Sequence, residues 1–506
     1  MKLFSLRLTT LKSKLYAIVF ASFVVRVVAF FALPSSPSNL APDEGNYGAL
    51  TEWIAQSKPA DEYEYNNLYL DSRTLIIPAS LLNRLGISGL DSVRIISSIY
   101  GLLTFTVVAF ILLRIIGSRQ EAASFALKNQ KKLLILFTIF GFLPSHLIWS
   151  VLGLREAAME FWVLLVFMLV FYVFEVKRLA SKFESLGVMV AIALVFSSRP
   201  QVGWVVGVTL LIYFLIKVRV RASQILIPIT LIGIISGYVL TTAYSIERTQ
   251  VFEAHVNVID TTSSPTATSS PTTTSSPTTT SSPTATSSPT ATSSPTATTQ
   301  AEFDASFFCN TAGQEVIVQG IKFSCEKKVE KKSIVGLKNP GAVLVDQADA
   351  IPVRNENTKV GAASVIQTLS CPFTGESRFD KYSCIAYRAP HTTYTFLVRP
   401  ILGADVTSSS SLFAAMENTF WLGAFLFVIF MVIRNRRLAF FGALAPSLLF
   451  FTLYSVGAGA SEGNMGTAFR HKSLILWVVL LLIASTIVAT QQRKAEGQGI
   501  SGSSQE

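Results

Sequence analysis

The chain has 506 residues, 50% of them hydrophobic and 14% charged, with a formal net charge of +11. A mean hydropathy of +0.48 spread over ten apolar runs excludes a soluble enzyme, a fibrous protein and a secreted disulfide scaffold, because runs of about 20 residues match what a helix needs to cross a bilayer. Much of the positive charge lies in short connections between these runs, where Lys and Arg set orientation, so it reports topology and nucleic acid is not an expected partner.

Lys2, Arg7, Lys12 and Lys14 precede the first apolar run, 15–33, which is predicted to leave the cytoplasm as a helix. It is longer than an ordinary signal-peptide core, is interrupted by Arg26, and ends in Pro34-Ser35-Ser36-Pro37, a poor cleavage site. The remaining runs are 93–116, 133–150, 156–175, 185–198, 202–218, 223–243, 412–433, 438–456 and 473–490. Alternating ten spans places every short basic connection, from Arg114 to Lys132 and from Arg434 to Arg437 among them, on one side. Both termini are therefore expected in the cytoplasm of a cell with this protein in its plasma membrane, and residues 244–411 outside. The expected fold class is an all-α polytopic membrane protein of about ten helices with a small disulfide-containing outer domain.

The first outer loop, 34–91, opens with Ala41-Pro42-Asp43-Glu44-Gly45-Asn46-Tyr47. Adjacent acids there can take a proton from a hydroxyl or bind a divalent cation, Asp43 and Glu44 being the candidate ligands. Asp43 also suits the cap of a helix 44–56 whose Leu50, Trp53 and Ile54 would lie on the membrane surface. At the next outer turn, Arg155 and Glu156 precede Glu160, which shares a helix face with Glu156. Ionisable groups at such depth face a cavity or a partner rather than lipid. Arg94, Arg155, Arg199, Arg399, Arg470 and Lys472 stand at the expected outer ends of helices, against the inside rule, where guanidinium groups suit phosphate oxygens. The alternative for each is snorkelling to headgroups. The last outer loop, 457–472, is glycine-rich and ends Arg470-His471-Lys472, a pattern suited to enclosing an anion.

Between residues 244 and 411, a six-residue Ser/Thr/Pro unit recurs with prolines at 265, 271, 277, 283, 289 and 295. It has nothing to bury and is expected to be a disordered linker over 244–300. Residues 301–411 follow as a loop domain with short β-prone runs at 316–318 and 342–345. All four cysteines, Cys309, Cys325, Cys371 and Cys384, lie there, as expected for disulfides on an oxidising face. The sequential pairing closes the shortest loops, and a zinc site lacks a CxxC spacing. The domain reading is thus a membrane core over 1–243, the linker, the loop domain, three spans over 412–490 and a tail from 491.

The Pro-Asp-Glu-Gly-Asn-Tyr segment beginning at Pro42, together with Arg155-Glu156 at the start of the fourth run, resembles the acidic motifs of the C-type superfamily (GT-C) of integral-membrane glycosyltransferases. That resemblance covers the chain to about residue 220. It implies transfer of a sugar from a polyprenyl-phosphate-linked donor, with Asp43 or Glu44 as the acceptor base, Glu156 as the second acidic position, and membrane lipid as the setting. The segments around Arg399, Glu417 and 463–471 look more like bacterial polysaccharide-assembly membrane proteins, so an O-antigen-type polymerase or ligase is the nearest alternative and a lipid-linked glycan transporter the next. Arg155, Arg199, Arg399, Arg470, His471 and Lys472 are the expected phosphate-binding set.

Overall fold

The computed structural model describes residues 2–37, 43–59, 68–69, 71–117, 130–174, 181–242, 250–256, 315–318, 321–329, 369–373, 377–406, 409–434 and 444–502. Fourteen helices and one three-stranded sheet lie within them. The chain divides into two compact units, Met1–Ser245 with Val335–Glu506, and Ile246–Ile334.

In chain order the helices of the first unit are α1 Lys2–Ala32, α2 Asp43–Ala55, α3 Arg73–Arg84, α4 Gly89–Gly117, α5 Gln130–Phe142, α6 Pro144–Val151, α7 Arg155–Tyr172, α8 Lys182–Ser198, α9 Pro200–Ile216, α10 Arg221–Thr242, α11 Arg378–Val398, α12 Ser409–Arg434, α13 Ala445–Ser461 and α14 Met465–Gly502. Their boundaries have local causes. Ser181 and Glu184 form a capping box at the start of α8, satisfying two of the amides a helix start leaves unpaired. Pro144 and Pro200 open α6 and α9 at the first helical position, where the missing N–H costs nothing and the preceding helix cannot continue. Accordingly α5 and α6 meet at a bend of 42°.

Five helical segments among the described residues are long and apolar enough to cross a membrane: Leu11–Ala32, Gly89–Arg114, Arg221–Val239, Ser411–Phe430 and Met465–Ser485. The bent α5–α6 pair makes a sixth if it counts as one span. Within the described residues the other expected runs are helical but shorter or more charged. At 17 residues, α8, α9 and α13 each rise only about 25 Å, against a hydrocarbon core of about 30 Å. Helix α7 carries Arg155, Glu156 and Glu160 within 18 residues.

Burial separates the spans. The span of α14 is 78% buried, that of α1 only 17%, so α14 is central and α1 peripheral. Trp477 of α14 is fully enclosed, with ring centroids 5.6 Å from Phe167 of α7 and 6.4 Å from Phe450 of α13. Phe20, Val28 and Phe31 of α1 are largely exposed, as an apolar face turned to lipid would be. A second apolar cluster of Tyr47, Leu50, Leu75, Ile76, Val93, Leu152 and Leu154 binds α2 and α3 to α4 and to the turn before α7.

Three segments differ from the expectation. Helix α13 runs through Gly457 and Gly459 to Ser461, which shortens the last loop to three residues; a Cβ on Gly459 would stand 2.8 Å from the carbonyl oxygen of Thr392 on α11, and that close packing offsets the roughly 1 kcal/mol a helical glycine costs. Helix α11, expected within the outer loop domain, is capped by Ser377, which accepts from the Asp380 amide, and it packs against α13 in the helical unit. Helix α3, also unexpected, lies within residues 34–91, between α2 and α4.

The second unit contains an antiparallel sheet of β1 Gln250–Val256, β2 Glu315–Val318 and β3 Ile321–Val329 in the order β1-β3-β2. Cys325 lies on β3 opposite Ala254. In the first unit, Cys371 and Cys384 form a disulfide with Cα atoms 5.6 Å apart. Cys309, the repeat tract over 261–298 and residues 342–345 lie outside the described residues.

Candidate functional site

Several helices end at one place. Asp43 stands in the first turn of α2, Arg155 and Glu156 in the first turn of α7, Arg199 between α8 and α9, Glu462 at the end of α13, and Arg470 and His471 near the start of α14. Arg470 links the set: its Nη1 lies 3.3 Å from Asp43 Oδ2 and its Nε 3.2 Å from Glu156 Oε1. His471 Nε2 is 2.6 Å from Arg199 Nη1 and 3.7 Å from Glu156, while its Nδ1 is 2.9 Å from Glu462 Oε1. Arg199 in turn lies 3.8 Å from Glu462, and Arg155 lies 3.6 Å from Asp71.

Burial grades this set. The side chains of Glu156, His471 and Glu462 are nearly fully enclosed, whereas that of Asp43 is 47% exposed. Asp43 is therefore the carboxylate at the mouth. Glu156 Oε1 and Oε2, Arg155 Nε and Arg470 Nε are all buried without a hydrogen bond, so charge pairing alone compensates them. Buried polar atoms left in that state are uncommon and call for an explanation. The starts of α2, α7 and α9 supply the positive end of the helix dipole to the same place. Tyr47 belongs here too: burial pushes its phenol up to about 12, Arg155 pulling the other way and Glu156 and Asp43 adding to the rise.

The two adjacent acids of the first loop part company. Glu44 is fully buried and takes two bonds from Arg94, at 2.5 Å from Nε and 3.1 Å from Nη2. It also accepts from the Gly153 amide at 3.1 Å. Arg94 donates further to the carbonyls of Pro34 and Ser36, so this pair ties the first loop to α4 and to the turn before α7. Among the described residues no three or more His, Cys, Asp and Glu are grouped to hold a metal ion, and Asp43 and Glu44 turn to different guanidinium groups.

Arg399 and Lys472 are drawn to other tasks. Arg399 pairs with Asp405 through Nε and Nη2, and the hydrogen bond from Arg399 holds the Asp405 carboxyl below its ordinary value. Lys472 Nζ donates to the carbonyls of Leu397 and Arg399 and to Asn418 Oδ1, fastening the end of α11, where helix carbonyls lack partners, to α12 and α14. Glu160 faces His146 Nδ1 at 3.5 Å rather than the Glu156 cluster. Nearby, Glu417 accepts from the Ser145 amide at 2.9 Å and from Trp421 Nε1 at 3.1 Å, closing the start of the half-helix α6. Arg26 donates to Ser150.

The structure thus brings together Asp43, Glu156, Arg155, Arg199, Arg470 and His471, and sets Glu44, Arg399 and Lys472 apart. Glu462, Asp71 and Tyr47 join without having been singled out. Glu462 stood in a stretch read as a glycine-rich loop, and Tyr47 lies four residues beyond Asp43, one helical turn on, which is the signal that could have found it.

Fold and site together describe a helical, membrane-like protein, with at least five helices long and apolar enough to cross a bilayer among the described residues and a buried charged centre where helix ends meet. No family model matches the chain, and no curated protein or solved structure matches it.

Proposed function

We propose that the protein is a membrane glycosyltransferase that moves a sugar from a polyprenyl-phosphate-linked donor to a hydroxyl of a glycan, lipid or protein acceptor at the outer face of the plasma membrane. In this reading the chain crosses the bilayer about ten times with both termini inside. The shorter helices α7, α8, α9 and α13 would cross where the bundle locally thins the bilayer. The observation that carries the proposal is the group of buried guanidinium and carboxylate atoms without hydrogen bonds, at Arg155, Arg470 and Glu156, beside a half-exposed Asp43.

The chemistry follows from that arrangement. A donor phosphate would compete with Asp43 for Arg470 and release the carboxylate at the mouth. Asp43 then takes the proton of the acceptor hydroxyl as its oxygen forms a bond to the anomeric carbon. The bond from that carbon to the phosphate oxygen breaks with its electron pair, and inversion results. Arg155, Arg470 and Arg199 stabilise the charge that develops on the leaving polyprenyl phosphate, usually the largest contribution to such a barrier. Glu156 holds Arg470 and His471 in place.

The test is mass spectrometry of lipid-linked and surface glycans in cells lacking the protein, rescued with wild type, Asp43→Asn or Arg470→Ala at equal membrane level. Loss of about 100- to 1,000-fold in transfer for Arg470→Ala and about 100- to 10,000-fold for Asp43→Asn is expected, with a glycan one sugar short accumulating. Full rescue by Asp43→Asn would remove the assignment. The bend between α5 and α6, with Glu417 at the start of the half-helix, favours a second reading as a lipid-linked glycan transporter, since broken helices are a mark of transporters. That reading requires a finished lipid-linked glycan to accumulate on the inner face instead.

A further inference from the structure

A cavity of about 760 Å³ lies between α1 and α5, away from the charged centre. Its size falls in the range of ligand pockets, about 300–1,000 Å³. Lys14, Gln130 and Lys131 line one end, Thr138 stands midway, and Leu134, Ile135, Ile139, Phe142 and Leu143 line the rest up to Pro144. Gln130 Nε2 is buried there without a hydrogen bond partner. The apolar wall runs from Lys131 to Pro144, about 20 Å at the rise of a helix, which is the depth of one leaflet with part of its interface. Two cations and a spare amide donor at one end of an apolar groove of that length complement a lipid with an anionic head.

We infer that this groove binds one anionic phospholipid, its phosphate on Lys14 and Lys131 and its acyl chains along α5 as far as the α5–α6 bend. The lipid is not the donor of the reaction proposed above. Lys14 sits near the start of the apolar segment Leu11–Ala32 of α1 and Asp43 follows its far end, so about 27 Å of helix separates the basic end of the groove from the level of the proposed catalytic carboxylate. The two ends belong to opposite leaflets. The inference therefore stands or falls independently of sugar transfer.

Native mass spectrometry of the full chain in detergent, titrated with phosphatidylglycerol or phosphatidylcholine, tests it. Wild type is expected to retain one phosphatidylglycerol with a preference of about tenfold or more, the scale two lysines at a lipid surface supply. Lys14→Gln with Lys131→Gln should bring that preference to within about twofold, and Thr138→Trp, which fills the groove, should remove retention of either lipid. Lys217→Gln with Arg221→Gln, which removes the same charge outside the groove, should leave it intact. Equal retention of the two lipids by wild type, an undiminished preference in the Lys14/Lys131 variant, or unchanged retention in Thr138→Trp would overturn the assignment.

Discussion

Removing the charge of Glu44 and removing that of Asp43, one residue apart, should have opposite consequences. Glu44 and Arg94 are 0% and 2% exposed at their side chains, and Glu44→Gln leaves the guanidinium buried without a counter-charge. Breaking such a pair from one side costs about 3–5 kcal/mol. The contact of the half-exposed Asp43 with Arg470 is screened by water and contributes about 0–1 kcal/mol, so Asp43→Asn should leave stability nearly unchanged while abolishing transfer. Thermal unfolding of purified protein in detergent, followed by tryptophan fluorescence, separates the two, and glycan profiles of the same variants supply activity. In a double-mutant cycle, Glu44→Gln combined with Arg94→Gln should cost less than the sum of the single changes, because neither partner is then an isolated charge. A Glu44→Gln protein as stable as wild type, or an Asp43→Asn protein as unstable as Glu44→Gln, would refute the division of labour drawn from the geometry.

A Cβ at Gly153 would press on the Val93 side chain and stand 3.2 Å from the Arg94 amide nitrogen, so Gly153→Ala should cost about 1–3 kcal/mol, read in the same unfolding assay. The disulfide between Cys371 and Cys384 closes a separation of 13 residues; Cys384→Ser should destabilise the protein by about 3 kcal/mol on loop entropy, and wild-type Cys371 should resist alkylation until reduced. Because the hydrogen bond from Arg399 depresses the Asp405 carboxyl, the stability this pair contributes is fully present above the unfolded value near 4 and is lost as pH falls through the lower folded value. Hydrogen exchange of residues 399–405 should accelerate in that acid window in wild type and be fast throughout in Asp405→Asn.

Hydropathy made the helices legible, since a run such as 93–116 is predominantly apolar between Arg94 and Arg114 and has one way to satisfy its backbone in a bilayer. It could not reveal α11, whose sequence mixes Arg378, Asp380, Lys381 and Arg388 with Pro390 and three threonines, nor the extension of α13 through glycines. Both depend on packing against each other. The site was legible as residue types and illegible as partners. Nothing local in the Asp43-Glu44 pair says that one side chain meets Arg470, 427 positions away, while the other is enclosed with Arg94. Lys472, adjacent to His471, was read by the same logic of basic residues at a helix start, yet successive helix positions point about 100° apart, and its ammonium reaches the end of α11 instead.

The place of α14 has a consequence for biogenesis. The most enclosed span follows all the others in the chain, and it carries Arg470 and His471. Until α14 is made, the slot it fills is bordered by Phe167 and Phe450 and by Asp43 and Glu156, which then have Arg155 but not Arg470 beside them. Chains emerge from the ribosome at about 5–20 residues per second, so the unfinished bundle exposes that slot for some seconds before the helix arrives. A chain truncated before residue 465 would lack Arg470 and His471 and leave Glu156 with Arg155 as its cationic neighbour, so the charged centre cannot be completed before α14 is made.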